Sequence, residues 1–271
     1  LIYNFKFNKK IYVFCFLYLI SYLALLFYKN KALIFGFDIF PGGMDGIVHL
    51  TYGTRIFENI KNLDFYNAFR GSESIYYFLP GLRYFWAINK FLFGDTFYGY
   101  LLIPFLYTGI IYYIFQYFVG KKVAIFLVVL NFFTNIFDGY ALPNLKFISH
   151  INVGHAEPLA IFFMLFSILI LILSFHKINE KQINKLSFII GLSLFISVFN
   201  RPDYLPASLI LLFSFIFFHI KINNIIYISL STFFGFAFIL LSPLHNYIYG
   251  NDFVLFTSNH PIIDLEGSGH N

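Results

Sequence analysis

Asp45 and His49 lie in a glycine-rich stretch between two apolar segments, and their types and spacing could support acid–base chemistry. Gly43 and Gly46 border this stretch, so the backbone is free to turn and no bulky neighbour shields the carboxylate. A carboxylate in that setting can accept a proton from a hydroxyl group. His49 would share a face with Asp45 in a helix that begins at this turn. The structural alternative makes Asp45 the N-cap of that helix and His49 a polar residue at the membrane interface.

Further polar side chains occur in groups near the ends of apolar runs. The groups combine carboxylates, imidazoles and guanidinium groups, which can take up a proton, bind phosphate or hold a divalent cation. They are Arg70, Glu73 and Arg83; Asp138; His150, His155 and Glu157; Asn200, Arg201 and Asp203; and His245 and Asn246. If they lie on one side of a membrane, they could form a single pocket.

Structural roles compete with this chemistry at two of the groups. Glu157 precedes Pro158, a composition that is common at the N-terminus of a helix. Arg201 could simply form an ion pair with Asp203. No His-x-x-x-His pair and no cysteine cluster in the sequence indicates a zinc site.

The composition is that of an integral membrane protein. Hydrophobic residues make up 59% of the 271 residues and charged residues only 11%, against about 25% charged in soluble proteins. The net charge is +5, but the basic residues cluster at the ends of apolar runs, which indicates membrane topology rather than nucleic-acid binding. The single cysteine, Cys15, excludes a disulfide framework.

Seven apolar runs have about the length that a helix needs to cross a membrane. They are residues 11–28, 97–118, 123–137, 158–175, 186–199, 204–220 and 225–242. Because these runs lack the alternation of barrel strands, the predicted fold is an all-α polytopic membrane protein. Residues 29–96 form a long loop after the first span. Within it, residues 47–60 and 82–93 have the apolar spacing of helices that lie in the membrane interface.

The distribution of basic residues predicts the orientation of the chain. Lys121, Lys122, the loop 176–185 and Lys221 fall on one side, whereas the short loops of the other side carry only Lys146 and Arg201. By the positive-inside rule the N-terminus is cytoplasmic and every candidate site group is extracytoplasmic, in a plasma (inner) membrane. We expect residues 1–242 to form the transmembrane module and residues 243–271 to begin an outer C-terminal segment of a longer protein.

The order of these features resembles the membrane module of GT-C-type glycosyltransferases, which include protein mannosyltransferases and aminoarabinose transferases. Four stretches carry the resemblance. They are Gly43-Met44-Asp45-Gly46 with His49, residues 76–85, Gly154-His155-Ala156-Glu157-Pro158 and Asn200-Arg201-Pro202-Asp203-Tyr204. The best-known relatives carry an Asp-Glu pair in the first loop, whereas Gly46 follows Asp45 in this chain.

The resemblance implies transfer of a sugar from a polyprenyl-phosphate donor to a hydroxyl group of a glycan, lipid or protein on the outer face. Asp45 would be the catalytic base. The candidate substrate-binding residues are His49, Arg70, Glu73, Arg83, Asp138, His155, Glu157, Arg201 and His245, and a second acid could hold a divalent metal ion.

Two other functions compete with this one. A polymerase or ligase of lipid-linked glycans should need several outer arginines to hold a diphosphate. A transporter should need polar residues in mid-span, and Gln116 and Asn131 provide only a sparse path.

Overall fold

A computed structural model describes residues 44–76, 79–133, 154–175, 180–219 and 225–254 of the chain. Within these ranges every regular element is a helix and no strand occurs, which confirms the prediction of an all-α protein. Several predictions fall outside the described residues: the first span at 11–28, the end of the third span, Asp138, His150 and residues 255–271.

Three helices precede the described spans: α1 (Met44–Lys61), α2 (Phe65–Arg70) and α3 (Gly81–Phe93). Helices α1 and α3 confirm the helical pattern of residues 47–60 and 82–93, whereas α2 was not predicted. Helix α2 forms because the Asp64 carboxylate accepts a hydrogen bond from the backbone N–H of Asn67 at 3.1 Å. It ends at Gly71, whose φ of +61° suits glycine in the left-handed region.

Seven helices make up the rest of the described chain. They are α4 (Tyr98–Val119), α5 (Lys121–Phe133), α6 (Glu157–Ser174), α7 (Glu180–Asn200), α8 (Leu205–Phe218), α9 (Ile225–Phe236) and α10 (Leu241–Gly250). Short 3₁₀ turns at Pro202–Tyr204 and Ala237–Leu240 lead into α8 and α10.

Four segments of the described chain are long and apolar enough to cross a membrane. They are Tyr98–Val119, Glu157–Ser174, Gln182–Asn200 and Ile225–Gly250. Each overlaps a predicted span, and together they indicate that the protein associates with a membrane. The apolar segment Pro202–Phe218 is shorter, and the described part of α5 has only 13 residues.

Glycines allow α7 and α9 to pack closely. A Cβ atom added to Gly191 would collide with the carbonyl oxygen of Thr232, and one added to Gly235 would lie 2.5 Å from the carbonyl oxygen of Phe188. Small residues at such contacts are typical of helix packing in membranes. The Ser231 hydroxyl on α9 also donates to the carbonyl oxygen of Asn184 on α7 at 3.2 Å.

One end of the bundle, which we call the polar end, is formed by the start of α4, the start of α6 and the end of α7. Tyr100 on α4 donates its hydroxyl proton to the carbonyl oxygen of His155, just before α6. Gly81, the first residue of α3, packs so closely on α7 that its added Cβ would lie 2.6 Å from the carbonyl oxygen of Phe199. The polar end is therefore the part of the described chain where α3 meets the candidate spans.

Candidate functional site

Asp45 lies in the first turn of α1, because that helix begins at Met44. The structural alternative placed Asp45 at the N-cap, before the first helical residue, and the start of α1 at Met44 corrects that position. His49 follows one turn later, so the two residues occupy the same face of the helix, as their spacing predicts.

His49 is buried, and its surroundings keep the imidazole neutral. Burial is the largest cause, followed by the positive charges of Arg83, His155 and Arg201, and together they lower the pKa of His49 from 6.5 to about 3. A neutral imidazole can donate or accept a hydrogen bond but cannot supply positive charge to a substrate. The same electrostatic contacts show that His49 lies near side chains of α3, of the residues before α6 and of the residues after α7.

Arg201 binds two carboxylates at the polar end. Its Nη1 atom lies 3.2 Å from Oε1 of Glu157, and its Nη2 atom donates to Oδ2 of Asp203 at 3.0 Å. Nδ1 of His155 lies 3.7 Å from Oε2 of Glu157. We call these four residues the Arg201 cluster. The structural alternative of an ion pair with Asp203 is therefore confirmed, and Glu157 shares the same guanidinium group.

The Arg201 cluster can be reached by a ligand. The side chain of Arg201 is 37% exposed, and those of Glu157 and His155 are 22% and 31% exposed. The Nε atom of Arg201 is buried and has no hydrogen-bond partner among the described residues. The exposed part of this side chain is suited to binding an anionic oxygen, whereas the Nε–H is enclosed by protein.

Local sequence explains why the cluster forms where it does. Helix α7 ends at Asn200, and Arg201 adopts an extended backbone because Pro202, which follows it, opens a 3₁₀ turn. Glu157 lies in the first turn of α6, where the helix dipole favours a negative charge. The structural and functional explanations of Glu157 are therefore compatible, since a carboxylate at this helix start also meets Arg201.

Arg83 and Glu73 form an ion pair with each other, and their substrate-binding role stays a prediction. The Arg83 side chain is 0% exposed, and its Nη2 donates to Oε2 of Glu73 at 2.7 Å. Its Nη1 donates to the carbonyl oxygen of Gly71 at 2.8 Å. The guanidinium carbon lies 4.5 Å and 5.0 Å from the ring centroids of Tyr52 and Tyr76. Arg83 thus fixes the segment after α2 against α1 and α3.

His245 is also buried in protein contacts, and its substrate-binding role stays a prediction. Its Nε2 atom lies 3.0 Å from the carbonyl oxygen of Arg70, and its ring stacks on that of Tyr76 with centroids 3.7 Å apart. The neighbouring Asn246 accepts a hydrogen bond from the backbone N–H of Tyr76 and donates to the carbonyl oxygen of Val254, both at 3.0 Å. These residues join α10 to the segment that follows α2.

Several contributors to the polar end carried no signal in the sequence. Tyr100 orients the backbone at His155, and Tyr52 stacks on Arg83, but the chain contains 21 tyrosines and no spacing distinguishes these two. Arg70, predicted to bind substrate, donates to the Ser74 hydroxyl at 2.6 Å and is partly exposed. The structure thus brings together His49, His155, Glu157 and Arg201 from the predicted set.

No group of three or more histidine, cysteine, aspartate or glutamate side chains within the described ranges is arranged to hold a metal ion. Asp138 lies outside those ranges, so a divalent metal remains a prediction. In comparisons with known proteins, no family model matches the chain, and no curated protein or solved structure gives a significant match.

Proposed function

We propose that this protein is a membrane glycosyltransferase that moves a sugar from a polyprenyl-phosphate donor to a hydroxyl acceptor on the extracytoplasmic face. The observation that supports it is the pairing of Arg201 with Glu157, two residues far apart in sequence, at the polar end of an apolar bundle. The positive charge of Arg201 also contributes to the lowered pKa of His49 on α1. A lipid-linked anionic substrate would have its phosphate at that level of the membrane.

Arg201 is the residue best suited to hold the donor phosphate. Its positively charged side chain is partly exposed, so it can attract and bind a phosphate oxygen. Glu157 positions the guanidinium group from the other side. Arg83, by contrast, is buried and paired with Glu73, and Arg70 donates to the Ser74 hydroxyl. Among the described residues of the polar end, Arg201 is then the arginine left for a phosphate, which fits a monophosphate donor better than the diphosphate donor of a glycan polymerase or ligase.

Asp45 is the proposed general base. The acceptor hydroxyl oxygen attacks the anomeric carbon while its proton passes to the Asp45 carboxylate. The bond between the anomeric carbon and the phosphate oxygen breaks, and its electron pair leaves with the polyprenyl phosphate, whose charge Arg201 stabilises. Neutral His49, one turn from Asp45 on the same helix face, can hydrogen-bond the donor or acceptor without competing for the phosphate.

The proposal includes the finer topology that the sequence predicts. The chain would cross the inner membrane seven times with its N-terminus in the cytoplasm, which places the polar end outside. Lys121 and Lys122 follow the 22-residue helix α4, about 30 Å from the polar end, which is consistent with that orientation. A divalent metal ion held by Asp138 or Glu157 remains part of the proposal.

The test measures donor turnover directly. The full chain in lipid nanodiscs is supplied with polyprenyl-phosphate mannose, glucose or a pentose, and released polyprenyl phosphate is quantified. We expect Arg201→Gln to lower kcat/KM by about 10- to 100-fold, the usual effect of losing a charge-assisted hydrogen bond. Arg201→Lys should retain part of the activity. The matched control, Arg55→Gln, changes an exposed arginine on α1 and should leave turnover unchanged. Absence of turnover with every donor, or equal effects of the two Gln variants, would contradict the proposal.

A further inference from the structure

An apolar tip projects from the outer-loop helices at the turn between α1 and α2. It consists of Leu63, Phe65, Tyr66 and Phe69, whose side chains are 74%, 52%, 64% and 63% exposed. Phe65, Tyr66 and Phe69 lie on the exposed side of α2, whereas Ala68, which borders Phe65 on the helix surface, is buried. Helix α2 therefore packs on the protein through a small residue and presents large aromatic residues outward.

The backbone at Leu63 is as unusual as its exposure. Leu63 has a φ of +60°, in the left-handed region that glycine, asparagine and aspartate occupy far more readily than leucine. In water, a glycine or asparagine at this position would avoid both the backbone cost and the exposed apolar side chain. A leucine there is better matched to an apolar environment around the tip.

The tip is continuous with the lipid-facing surface of a span. The rings of Tyr66 and Tyr249 pack edge to face with centroids 5.1 Å apart, which joins α2 to the end of Ile225–Gly250. On α10, Leu244, Tyr247 and Ile248 expose 50%, 60% and 58% of their surface. Because this segment is apolar enough to cross a membrane, its exposed apolar side chains face lipid, and the tip extends that surface.

Polar and charged groups border the tip as they do on other interfacial helices. Lys61 is exposed at the end of α1, and the Asp64 carboxylate accepts a hydrogen bond from the Asn67 amide at 2.6 Å. Aromatic side chains beside basic residues are typical of segments at the level of the lipid headgroups.

We propose that the apolar tip is embedded in the interfacial layer of the outer leaflet, so that its partner is the lipid bilayer itself. The contact would anchor the outer-loop helices beside the polar end, because α2 is tied through Gly71 to Arg83 and through Arg70 to His245. This inference does not depend on glycosyl transfer and stands or fails separately from it.

Site-directed spin labelling tests the proposal in the full chain. The substitution Cys15→Ser first removes the only cysteine of the chain. Single cysteines are then introduced as Leu63→Cys, Tyr66→Cys and Phe69→Cys. The labelled proteins are placed in vesicles of phosphatidylethanolamine and phosphatidylglycerol. Collision rates with oxygen, which concentrates in lipid, and with a water-soluble nickel chelate are then compared. Leu241→Cys on α10 serves as the lipid-facing reference, because this residue is exposed in an apolar segment. Asp95→Cys, just after α3, serves as the water-facing reference, because the charged side chain of Asp95 is 75% exposed.

At positions 63, 66 and 69 we expect the collision rate with oxygen to exceed that with the nickel chelate. The ratio of the two rates should lie between the ratios measured at the two reference positions. A pattern like that of Asp95→Cys would show that the tip lies in water and would overturn the proposal. Low collision rates with both reagents would show a protein partner, such as a second copy of this chain, and would overturn it equally. The fluorescence of the single tryptophan, Trp86, which is buried, verifies that each labelled variant is folded.

Discussion

Arg83 and Arg201 carry the same charge near the same end of the bundle, yet their environments assign them different roles. Arg83 has no exposed surface and is held by a carboxylate, a carbonyl oxygen and two tyrosine rings. Arg201 is partly exposed and shares two carboxylates. The sequence placed both near membrane-span ends, but it could not distinguish them, because the decisive partner of Arg201 comes from another helix.

Asp45→Asn tests the proposed base. The amide keeps the shape of the carboxylate but cannot accept the acceptor proton, so transfer should fall by about 10²- to 10⁴-fold. Since Asp45 lies in the first turn of α1, loss of its charge at the helix dipole should cost at most about 1 kcal/mol, and the protein should fold.

The matched control for that test is Asp64→Asn. Asp64 caps α2, and asparagine caps a helix about as well as aspartate, so this variant should transfer sugar at the normal rate. Turnover by Asp45→Asn close to that of the wild type would refute the mechanism and shift the search for a base to Glu157 or Asp138.

Because His49 is buried in its neutral form, we expect the folded protein to lose stability in mild acid. Its pKa is 6.5 in an unfolded chain and about 3 in the fold, so the unfolded state binds the proton first. The stabilisation is complete above pH 6.5 and is lost as the pH falls towards 3. Between pH 6.5 and about pH 4.5 the loss should approach about 2 to 3 kcal/mol, because one pH unit corresponds to about 1.4 kcal/mol.

Thermal unfolding of the wild type and of His49→Gln across that pH range measures this contribution. Carboxylates titrate in the same window in both proteins, so the difference between the two curves isolates the imidazole. Parallel pH dependence of the two proteins would show that His49 is not held neutral by its burial.

At the level of helices, the apolar periodicity predicted where helices lie in the sequence, but it did not predict which helices pack on each other. The pattern predicted helices at 82–93 and 97–118, and the structure has Gly81–Phe93 and Tyr98–Val119. The short helix α2 escaped prediction because six residues carry too little periodic signal, and its N-cap and left-handed Gly71 define it instead. Which faces pair, as at Gly191 and Gly235, depends on contacts between helices that the pattern of one helix does not encode.

Gly191→Ala should destabilise the bundle, because the added methyl group would meet the Thr232 carbonyl oxygen on α9. Overpacking of this kind costs about 1 to 3 kcal/mol. The matched control is Gly109→Ala on α4, where an added Cβ has no atom within 4 Å, and there the higher helix propensity of alanine should stabilise the protein slightly. The two unfolding temperatures are compared in the same lipid. A Gly191→Ala variant as stable as the control would show that α7 and α9 are farther apart.

At the level of the whole molecule, composition and charge established the membrane class and predicted an orientation, but they could not show that the candidate residues meet. His155, Glu157 and Arg201 were predicted to share a pocket only because each lies at a span end of the same side. Their contact arises from the packing of α6 beside α7, with Ser197 donating to the carbonyl oxygen of Ala160 at 2.8 Å. That long-range contact fixes the register that brings the three side chains together.

The orientation of the chain in the membrane can be tested with two residues near the opposite ends of one candidate span. The segment Gln182–Asn200 has 19 residues, a length of about 28 Å, so Lys185 and Asp203 should lie on opposite sides of a membrane core about 30 Å thick. Both side chains are exposed. In the Cys15→Ser background, Asp203→Cys in intact cells should react with a membrane-impermeant maleimide, whereas Lys185→Cys should react only after permeabilisation. Labelling of both in intact cells would show that α7 does not span. The reverse pattern would place the Arg201 cluster in the cytoplasm and remove the basis for a transferase that works on the outer face.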